Sequence, residues 1–584
     1  MVIRLVYLCE IRNNTLLTAP VADAKIYYEW AWHIVNTGEL IGQKLFFLNP
    51  GYPYLLALIF WIMGPSNLVI PIIQFVVGSI SAVIVYLIAK ETFNQTSGII
   101  SGLLYSCYSV FIFYEGLFST FVWINILNLI AIFLLIKLMD NPKIALSVLI
   151  GIILGLSSLF RPNILLYVPL VLIWFILYQR KWFVLFAYLL FGLLVILSPV
   201  IVRNYIVFKQ PYVSSVSSGI NFYLGNNIRA NGSNSAMFGA SSGLSHPEYM
   251  LDYFYKEAEK SIGKQITYSE MNSYWFNKGL SFIVNNPFNA MNITVKKLLL
   301  FINVNEIPSN YPFHLFKSYS KILAYLPNYI IIAPFSLFMF IFIIYHNDAK
   351  SNLLRMFLAV NIATIMIFFM LSEYRLPAIP IIIVFVSYTF VWFIKQLKQK
   401  CYRNATIFIV FSIFFALLSH VPLLSNEMIG DYYWKGIFAK RRGDIEGAKR
   451  YFLKGIAYDA ASIHNYQQLG SIYYETEDYI QAKYWFEKSL EIAPNNETLY
   501  NLGSIYFVLK DYKNAKKYYS LTLKEDSKYV EAMDGLACTE FKMGNHEMAN
   551  SLWKRAFSLA ADPDVKKRIS SNIDVAKHNK IQNK

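Results

Sequence analysis

The sequence predicts an all-α protein in which a polytopic bundle of transmembrane helices precedes a soluble solenoid of helical repeats. Hydrophobic residues make up 56% of the 584 residues and charged residues only 15%, whereas soluble domains average about 25% charged residues. Apolar runs fill residues 1–424, and the polar residues 425–584 contain a repeat. These observations exclude a disordered chain, a disulfide scaffold and an ordinary soluble enzyme, and they predict two domains with these bounds.

The net charge of +16 comes from 52 basic and 36 acidic residues. Many basic residues stand at the ends of apolar runs, as the positive-inside rule expects, so we predict no nucleic-acid partner. The four cysteines lie far apart, without the spacing of a metal or disulfide site. The sequence identifies no cofactor and leaves a divalent metal open.

A transmembrane helix needs about 20 apolar residues to cross roughly 30 Å of hydrocarbon. Ten runs are candidates: 66–89, 98–114, 117–138, 144–160, 163–179, 183–203, 321–345, 354–371, 377–396 and 405–424. The apolar segment Met1–Cys9 is too short to span, so we expect the first span to begin upstream of this sequence. Alternate breaks are basic and are assigned to the cytoplasm, which places loops 10–50 and 204–320 and the tail outside a cell membrane.

Acidic residues near the predicted outer surface are candidate catalytic groups, because charges beside apolar spans are costly and usually functional. Asp23 begins an amphipathic segment that predicts a helix on the membrane surface, where a plain N-cap is the alternative role. Glu115 lies between two spans that meet almost without a loop, where an acid reaching toward the surface is the alternative. A short apolar run before Gly64 predicts an interfacial helix or a simple turn.

Cations also gather at the predicted outer ends of the spans. Arg161 and Arg203 each follow an apolar run, and Arg375 lies in a minimal loop whose planar guanidinium suits a phosphate. Ordinary membrane anchoring, or pairing of Arg375 with Glu373, is the alternative. Together the acids and cations predict an outward cavity for a lipid-like anionic substrate, with a general base beside a stabilised phosphate. The loop 204–320 is a lid, an acceptor-reading subdomain or a passive spacer.

The tail contains a repeat of about 34 residues. Ala448, Ala482, Ala515 and Ala549 are spaced by 34, 33 and 34 residues, and an aromatic residue follows each of them four positions later. This small–large pattern is typical of tetratricopeptide helix pairs, and residues 565–577 predict a closing helix. Such an array is either a protein-binding groove or a structural stalk.

The ordered motifs of residues 5–400 resemble the GT-C membrane glycosyltransferases, and most of all the bacterial branch related to protein O-mannosyltransferases. The resemblance rests on these segments: Asp-x-x-x-Tyr-Tyr at 23–28, Pro-Gly-Tyr-Pro at 50–53, Tyr-Glu at 114–115, Arg-Pro-Asn at 161–163, Asn-Phe-Tyr-Leu-Gly-Asn-Asn at 221–227 and Tyr-Arg-Leu-Pro at 374–377. Many relatives carry a further acid after Tyr-Glu, where this chain has Ser-Thr-Phe at 119–121.

The resemblance implies an inverting transfer of a sugar from a polyprenyl-phosphate donor to an acceptor hydroxyl. Asp23 would be the general base and Glu115 a second acid. Arg375 would hold the phosphate, and the other substrate-binding residues implied are Tyr27, Tyr28, Arg161, Arg203, Lys296, Lys297 and Tyr374. The acceptor would be a protein, lipid or glycan. The other expected partners are membrane lipid and a protein that binds to the repeats. A lipid-linked glycan ligase or polymerase and a non-enzymatic anchor for the repeats remain alternatives, and a transporter is disfavoured because no inverted repeat is visible.

Overall fold

The computed structural model describes residues 1–12, 20, 23–41, 48–209, 217–233, 247–308, 311–336, 348–423, 431–458, 460, 462–492, 495–560 and 563–582. Within these ranges the regular structure is helical, without strands, which confirms the predicted all-α class. The chain forms two compact units, one of Met1–Met237 and His246–Ile429 and the other of Phe238–Ser245 and Gly430–Lys584.

Three short helices open the first unit. They are α1 (Val2–Ile11), α2 (Asp23–Thr37) and α3 (Gly51–Met63), with 10, 15 and 13 residues. Helix α2 packs on α3, where Tyr52, Leu56 and Phe60 recur at every fourth position and are buried. This spacing puts the three side chains on one face of a helix. The 13 residues of α3 are fewer than a span requires, as the sequence predicts for this segment.

Seven helices follow up to the large loop: α4 (Val69–Thr92), α5 (Gln95–Cys107), α6 (Ser109–Glu115), α7 (Phe121–Asp140), α8 (Ile144–Phe160), α9 (Tyr167–Tyr178) and α10 (Trp182–Phe208). The loop contains α11 (Ser218–Gly225), α12 (Pro247–Ile262), α13 (Tyr268–Asn285), α14 (Pro287–Ile302) and α15 (Phe313–Tyr319). The unit closes with α16 (Lys321–Tyr325), α17 (Tyr329–Ser336), α18 (Ala349–Ile367), α19 (Ser372–Arg375), α20 (Ile379–Lys398) and α21 (Tyr402–Ser419).

By length and composition, six of the described helices are able to cross a membrane: Val69–Thr92, Phe121–Asp140, Trp182–Val207, Ala349–Ile367, Ser372–Lys398 and Tyr402–Ser419. The chain is therefore a multi-pass membrane protein. The predicted span 98–114 is instead the pair α5 and α6, bent by 52°. The bend occurs because the backbone is extended at Tyr108 and the next N–H, that of Ser109, donates to the carbonyl oxygen of Pro327.

Three other predicted spans are not among these six helices. Runs 144–160 and 163–179 form the apolar helices Ile144–Phe160 and Pro162–Tyr178, within one residue of the predicted bounds but shorter than the six, and Arg161 and Pro162 break the helix between them. Run 321–345 begins as α16 and α17, and its remainder from 337 lies outside the described residues. The Gly-, Ser- and Asn-rich stretch 213–245 is described only at 217–233, whereas the amphipathic pattern at 247–283 forms α12 and α13.

Helices α8 and α10 cross closely at two glycines. A Cβ atom on Gly151 would lie 1.9 Å from the carbonyl oxygen of Leu189, and one on Gly192 would lie 2.2 Å from that of Val148. Small residues allow such backbone contact, which drives helix association where lipid removes the hydrophobic effect. This contact holds the end of α8, and therefore Arg161, in a defined position.

The second unit consists of paired helices: α22 (Asp431–Arg441), α23 (Ile445–Tyr458), α24 (Ile463–Glu475), α25 (Tyr479–Ile492), α26 (Asn496–Val508), α27 (Tyr512–Glu525), α28 (Val530–Lys542) and α29 (His546–Leu559). The closing helix α30 (Pro563–Gln582) follows them. The four alanines of the repeat are fully buried, and the aromatic residues that follow them are at most 3% exposed. The repeat register predicted from the sequence therefore matches the packing of the helix pairs.

Candidate functional site

Asp23 is the first residue of α2, and the helix holds it through aromatic packing one turn further on. The ring of Tyr27 is buried and meets the ring of Tyr52 edge-on at 5.2 Å, and Tyr28 packs against Phe60 and Phe118. Burial raises the pKa of Tyr27, Asp23 and Glu373 raise it further, and Arg161 lowers it. These electrostatic effects place the half-buried Asp23 in the same neighbourhood as an acid and a cation from distant parts of the chain.

Arg161 ends α8 at the break before Pro162. Its guanidinium lies 3.4 Å from the Glu373 carboxylate, donates to the Glu373 carbonyl oxygen at 3.3 Å and stacks 4.7 Å above the Tyr374 ring. The side chains of this ion pair are 17% and 19% exposed. Its long contacts and partial exposure leave the pair open to exchange with an anionic ligand.

A small crevice of about 30 Å³ adjoins Arg161 and Tyr374. Its polar lining consists of Asn128, Arg161, Asn163, Asn361, Thr364 and Tyr374, and its apolar lining of Ile124, Ile164, Phe357, Val360 and Pro377. Amide and hydroxyl groups around one cation and one aromatic ring are suited to a polar ligand with an anionic group. Asp23, Arg161 and Glu373 all act electrostatically on Tyr374 at this crevice.

Arg375 occupies a different environment from the one that the sequence predicts for a phosphate ligand. Its Nη1 donates to the carbonyl oxygens of Phe301 (2.9 Å) and Asn303 (2.6 Å), and its Nη2 lies 2.8 Å from Glu306. The guanidinium also stacks on the Tyr329 ring at 3.9 Å, and its side chain is 1% exposed. A phosphate would reach this guanidinium only after the buried ion pair opens, at a large desolvation cost.

Glu115 is likewise buried, in a bidentate pair with Arg4 of α1. The Arg4 Nε donates to Oε2 at 2.6 Å and Nη2 donates to Oε1 at 3.0 Å. The carboxylate fits because residue 78 is glycine, where a Cβ atom would lie 2.1 Å from Oε1. Both carboxylate oxygens therefore have partners within the protein, which differs from the second-acid role that the resemblance implies.

The remaining predicted cations hold other parts of the fold. Lys297 is buried and donates to the Asn226 side chain (3.1 Å) and to the carbonyl oxygen of Met366 (3.0 Å). Burial lowers the pKa of Lys297 to about 8. Its neighbour Lys296 is half-buried. Arg203 donates to the carbonyl oxygen of Ile41 at 2.7 Å, at the end of the described part of the first outer loop.

The structure thus brings Asp23, Tyr27, Arg161 and Tyr374 together, and its contacts put Glu115, Arg375 and Lys297 in three separate buried networks. Sequence reasoning missed Arg4 and Glu306, the partners of two of these groups. Arg4 could have been identified from the sequence, because an arginine within the apolar segment Val2–Ile11 requires a buried partner. No group of three or more metal-ligating side chains occurs among the residues that the structure describes.

Comparisons with known proteins agree with the sequence reasoning on both units. Residues 49–203 match the model of the dolichyl-phosphate-mannose-protein mannosyltransferase family. Residues 464–496 and 497–529 match two tetratricopeptide repeat models. The resemblance to this glycosyltransferase branch and the presence of tetratricopeptide repeats are thereby confirmed. A search of curated protein sequences gives no match.

Solved structures resemble each unit at low identity. The apo oligosaccharyltransferase of Archaeoglobus fulgidus is 13% identical over 72% of this chain, with a TM-score of 0.41, and the match covers 54% of that enzyme. A second structure of the Archaeoglobus fulgidus enzyme, named AglB, holds an inhibitory peptide and a dolichol-phosphate and has a TM-score of 0.36. The MamA protein is 22% identical over 26% of this chain, with 80% of MamA covered and a TM-score of 0.23. These scores support no residue-by-residue correspondence.

Proposed function

We propose that this chain is an inverting glycosyltransferase that moves a sugar from a polyprenyl-phosphate donor to an acceptor hydroxyl on the extracytoplasmic side of a membrane. The observation that supports it best is the neighbourhood of Asp23 and Arg161, which act electrostatically on the same two phenols, Tyr27 and Tyr374. A carboxylate and a partly exposed cation beside a polar crevice are what a base and a phosphate leaving group require.

In the proposed reaction Asp23 takes the proton of the acceptor hydroxyl while that oxygen forms a bond to the anomeric carbon. The bond from this carbon to the phosphate oxygen breaks, and the polyprenyl phosphate leaves with the electron pair. Arg161 stabilises the negative charge that grows on the phosphate, so its contribution is larger in the transition state than in the ground state. Because attack and departure occur on opposite faces, the sugar carbon inverts.

The proposal revises the distribution of roles among the cations. Arg161 is the phosphate contact, because its carboxylate partner Glu373 lies 3.4 Å away and both side chains are partly exposed. Arg375 positions this region, since its buried pair with Glu306 ties the segment after α14 to helix α19, which also bears Tyr374. Glu115 similarly positions α1 against the bent pair of helices.

The test uses the full chain in nanodiscs with a panel of polyprenyl-phosphate sugars, and mass spectrometry measures released polyprenyl phosphate. Asp23→Asn is expected to lower single-turnover transfer by about 10²–10⁴-fold and to leave donor binding intact. Arg161→Lys keeps the charge and loses the planar fork, so donor binding is expected to weaken. Glu29→Gln is the matched control, because Glu29 lies on the same helix with its side chain 60% exposed.

Each alternative has its own outcome in this assay. Undiminished transfer by Asp23→Asn would remove Asp23 from the base role. Consumption of oligosaccharide-bearing donors alone would indicate a lipid-linked glycan ligase or polymerase. A wild-type chain that binds donor lipids and consumes none of them would favour the non-enzymatic anchor.

The same proposal places the tetratricopeptide unit outside the membrane, where its groove binds a protein partner or acceptor. The basic breaks between spans support this orientation. In a cysteine-free background, an impermeant maleimide applied to intact cells is expected to label Ser558→Cys in the exposed surface of α29. Restored Cys401, which is exposed and lies in a predicted cytoplasmic break, is the matched control and reacts only after permeabilisation. Labelling of Cys401 alone in intact cells would reverse the orientation.

A further inference from the structure

The hairpin of α13 and α14 exposes apolar side chains although neither helix is among those able to span the membrane. Phe288 is 81% exposed, Val284 69% and Met291 62%. They belong to a larger set of exposed apolar residues at helical spacing: Phe276, Leu280, Val284, Phe288, Met291 and Val295. On each helix these positions fall on one side, so the hairpin carries apolar stripes that stay exposed in the described part of this unit.

The opposite face of the hairpin is packed into the membrane unit. Trp275 donates its indole N–H to the carbonyl oxygen of Phe254 on α12, and a Cβ atom on Gly279 would meet the Phe222 ring of α11 at 2.8 Å. The burial of Ile293 and Leu300 orients α14 in the same way. The apolar face is therefore the outer side of an ordered element, since its inner side is fixed by these contacts.

Lys297 of α14 attaches this element to the end of a membrane span, directly and through a neighbouring asparagine. It donates to the carbonyl oxygen of Met366 and to the side chain of Asn226, which follows α11 and in turn donates to the carbonyl oxygen of Ile367 at 2.7 Å. Both carbonyls belong to the last turn of α18, which is long and apolar enough to cross the bilayer. The hairpin consequently lies at the level where the hydrocarbon of the bilayer ends.

The charges of the hairpin suit a lipid surface. After Glu270 in the first turn of α13, the sequence to Ile302 has no acidic residue; Lys278 is exposed and Lys296 half-buried, whereas Lys297 is buried. Helix α12 on the other side has acidic residues such as Glu257 and Glu259. An apolar face flanked by lysines is typical of helices that lie in the membrane interface and favour anionic lipids.

We propose that the α13–α14 hairpin lies in the membrane interface, with the apolar face of Phe276, Leu280, Val284, Phe288, Met291 and Val295 immersed in the lipid of the leaflet next to the end of α18. The bilayer is favoured over a protein partner because α14 is bonded to the last turn of α18, a helix long and apolar enough to cross a membrane, and because the charged residues nearest the apolar face, Lys278 and Lys296, are basic. It would hold the large loop at a fixed depth beside the crevice.

The test measures depth with an environment-sensitive fluorophore on single cysteines in an otherwise cysteine-free full chain in nanodiscs containing anionic phospholipid. Labels at Val284→Cys and Met291→Cys are expected about 5–10 Å below the headgroups, quenched by nitroxide on the acyl chains and shielded from aqueous iodide. Asn285→Cys is the matched control: it is exposed on the same helix, and its side chain points about 100° away from that of Val284.

Two results would overturn the proposal. Equal iodide quenching at Val284, Met291 and Asn285 would put the apolar face in water. Shielding of Val284 and Met291 from both quenchers would show that a protein surface covers them. The readout is independent of sugar transfer, so either result leaves the proposed enzymatic activity to its own test.

Discussion

Removing Arg4 is expected to destabilise the membrane unit strongly. Arg4→Met deletes two hydrogen bonds to Glu115, at 2.6 and 3.0 Å, and one to the carbonyl oxygen of Ser106 at 3.1 Å. Both ionic side chains are only 1% exposed, so water cannot replace the lost partner. Leaving one charge of a buried pair uncompensated costs about 3–5 kcal/mol, and we expect the free energy of unfolding to fall by this amount.

The double variant Arg4→Met/Glu115→Leu removes both charges and keeps most of the side-chain volume, so it distinguishes the effect of the ion pair from the effect of packing. Replacing both partners by apolar groups of similar volume is often neutral or stabilising. The double variant is therefore expected to recover most of the stability that Arg4→Met loses, with a coupling of about 3 kcal/mol or more between the two positions. Equilibrium unfolding in mixed micelles of the wild type, both single variants and the double variant measures this coupling.

The reasoning is refuted if Arg4→Met costs less than about 1 kcal/mol, or if the two single changes simply add. Transfer measured on the same four proteins then bears on the second-acid role that the resemblance implies for Glu115. A stable double variant without transfer would assign Glu115 a part in the chemistry. A double variant whose transfer follows its stability would assign it a positioning role.

Three further changes test other parts of the structure. Ala482→Trp forces a large side chain into the core around Phe486 and should lower the free energy of unfolding of the repeats by about 1–3 kcal/mol or more. Amide hydrogen exchange should become faster in the repeats only, and the exposed substitution Gln481→Trp is the control. Burial lowers the pKa of Lys297 from its ordinary 10.5 to about 8. Between pH 8 and pH 10.5 the unfolded chain therefore holds a proton at this lysine that the folded chain has lost. The free energy of unfolding consequently rises with pH in this range. The stability of the wild type relative to Lys297→Met should therefore increase from pH 8 to pH 10 in denaturant titrations; a constant difference would contradict the lowered pKa. Arg375→Lys loses the planar fork that reaches two carbonyls and an acid and should lower thermal stability, by about 1–3 kcal/mol. Weaker donor binding at unchanged stability would instead support the phosphate role predicted from the sequence.

Much of the helical architecture was predictable because its causes are local. The length of an apolar run and the basic residues at its ends decide whether it crosses a bilayer, and both are read along the chain. The same holds for the repeat, where Ala482 and Phe486 are close in sequence and share one helix. The break at Arg161 and Pro162 was also visible locally. The bend at Tyr108 was not, because it depends on a hydrogen bond to Pro327.

The pairing of charges was decided by the tertiary structure alone. Their residue type and their position near the end of a span make Glu115, Arg161 and Arg375 candidate site residues. The sequence alone does not distinguish which of the three is exposed and which is buried. Their partners lie far away in the chain: Arg4 is 111 residues from Glu115 and Glu373 is 212 residues from Arg161. In the membrane unit a buried charge requires an opposite charge or hydrogen-bond partners within contact distance, and only the packing of helices determines which groups it meets. That packing leaves Arg161 partly exposed beside Asp23 and seals Arg375 and Glu115 inside the protein.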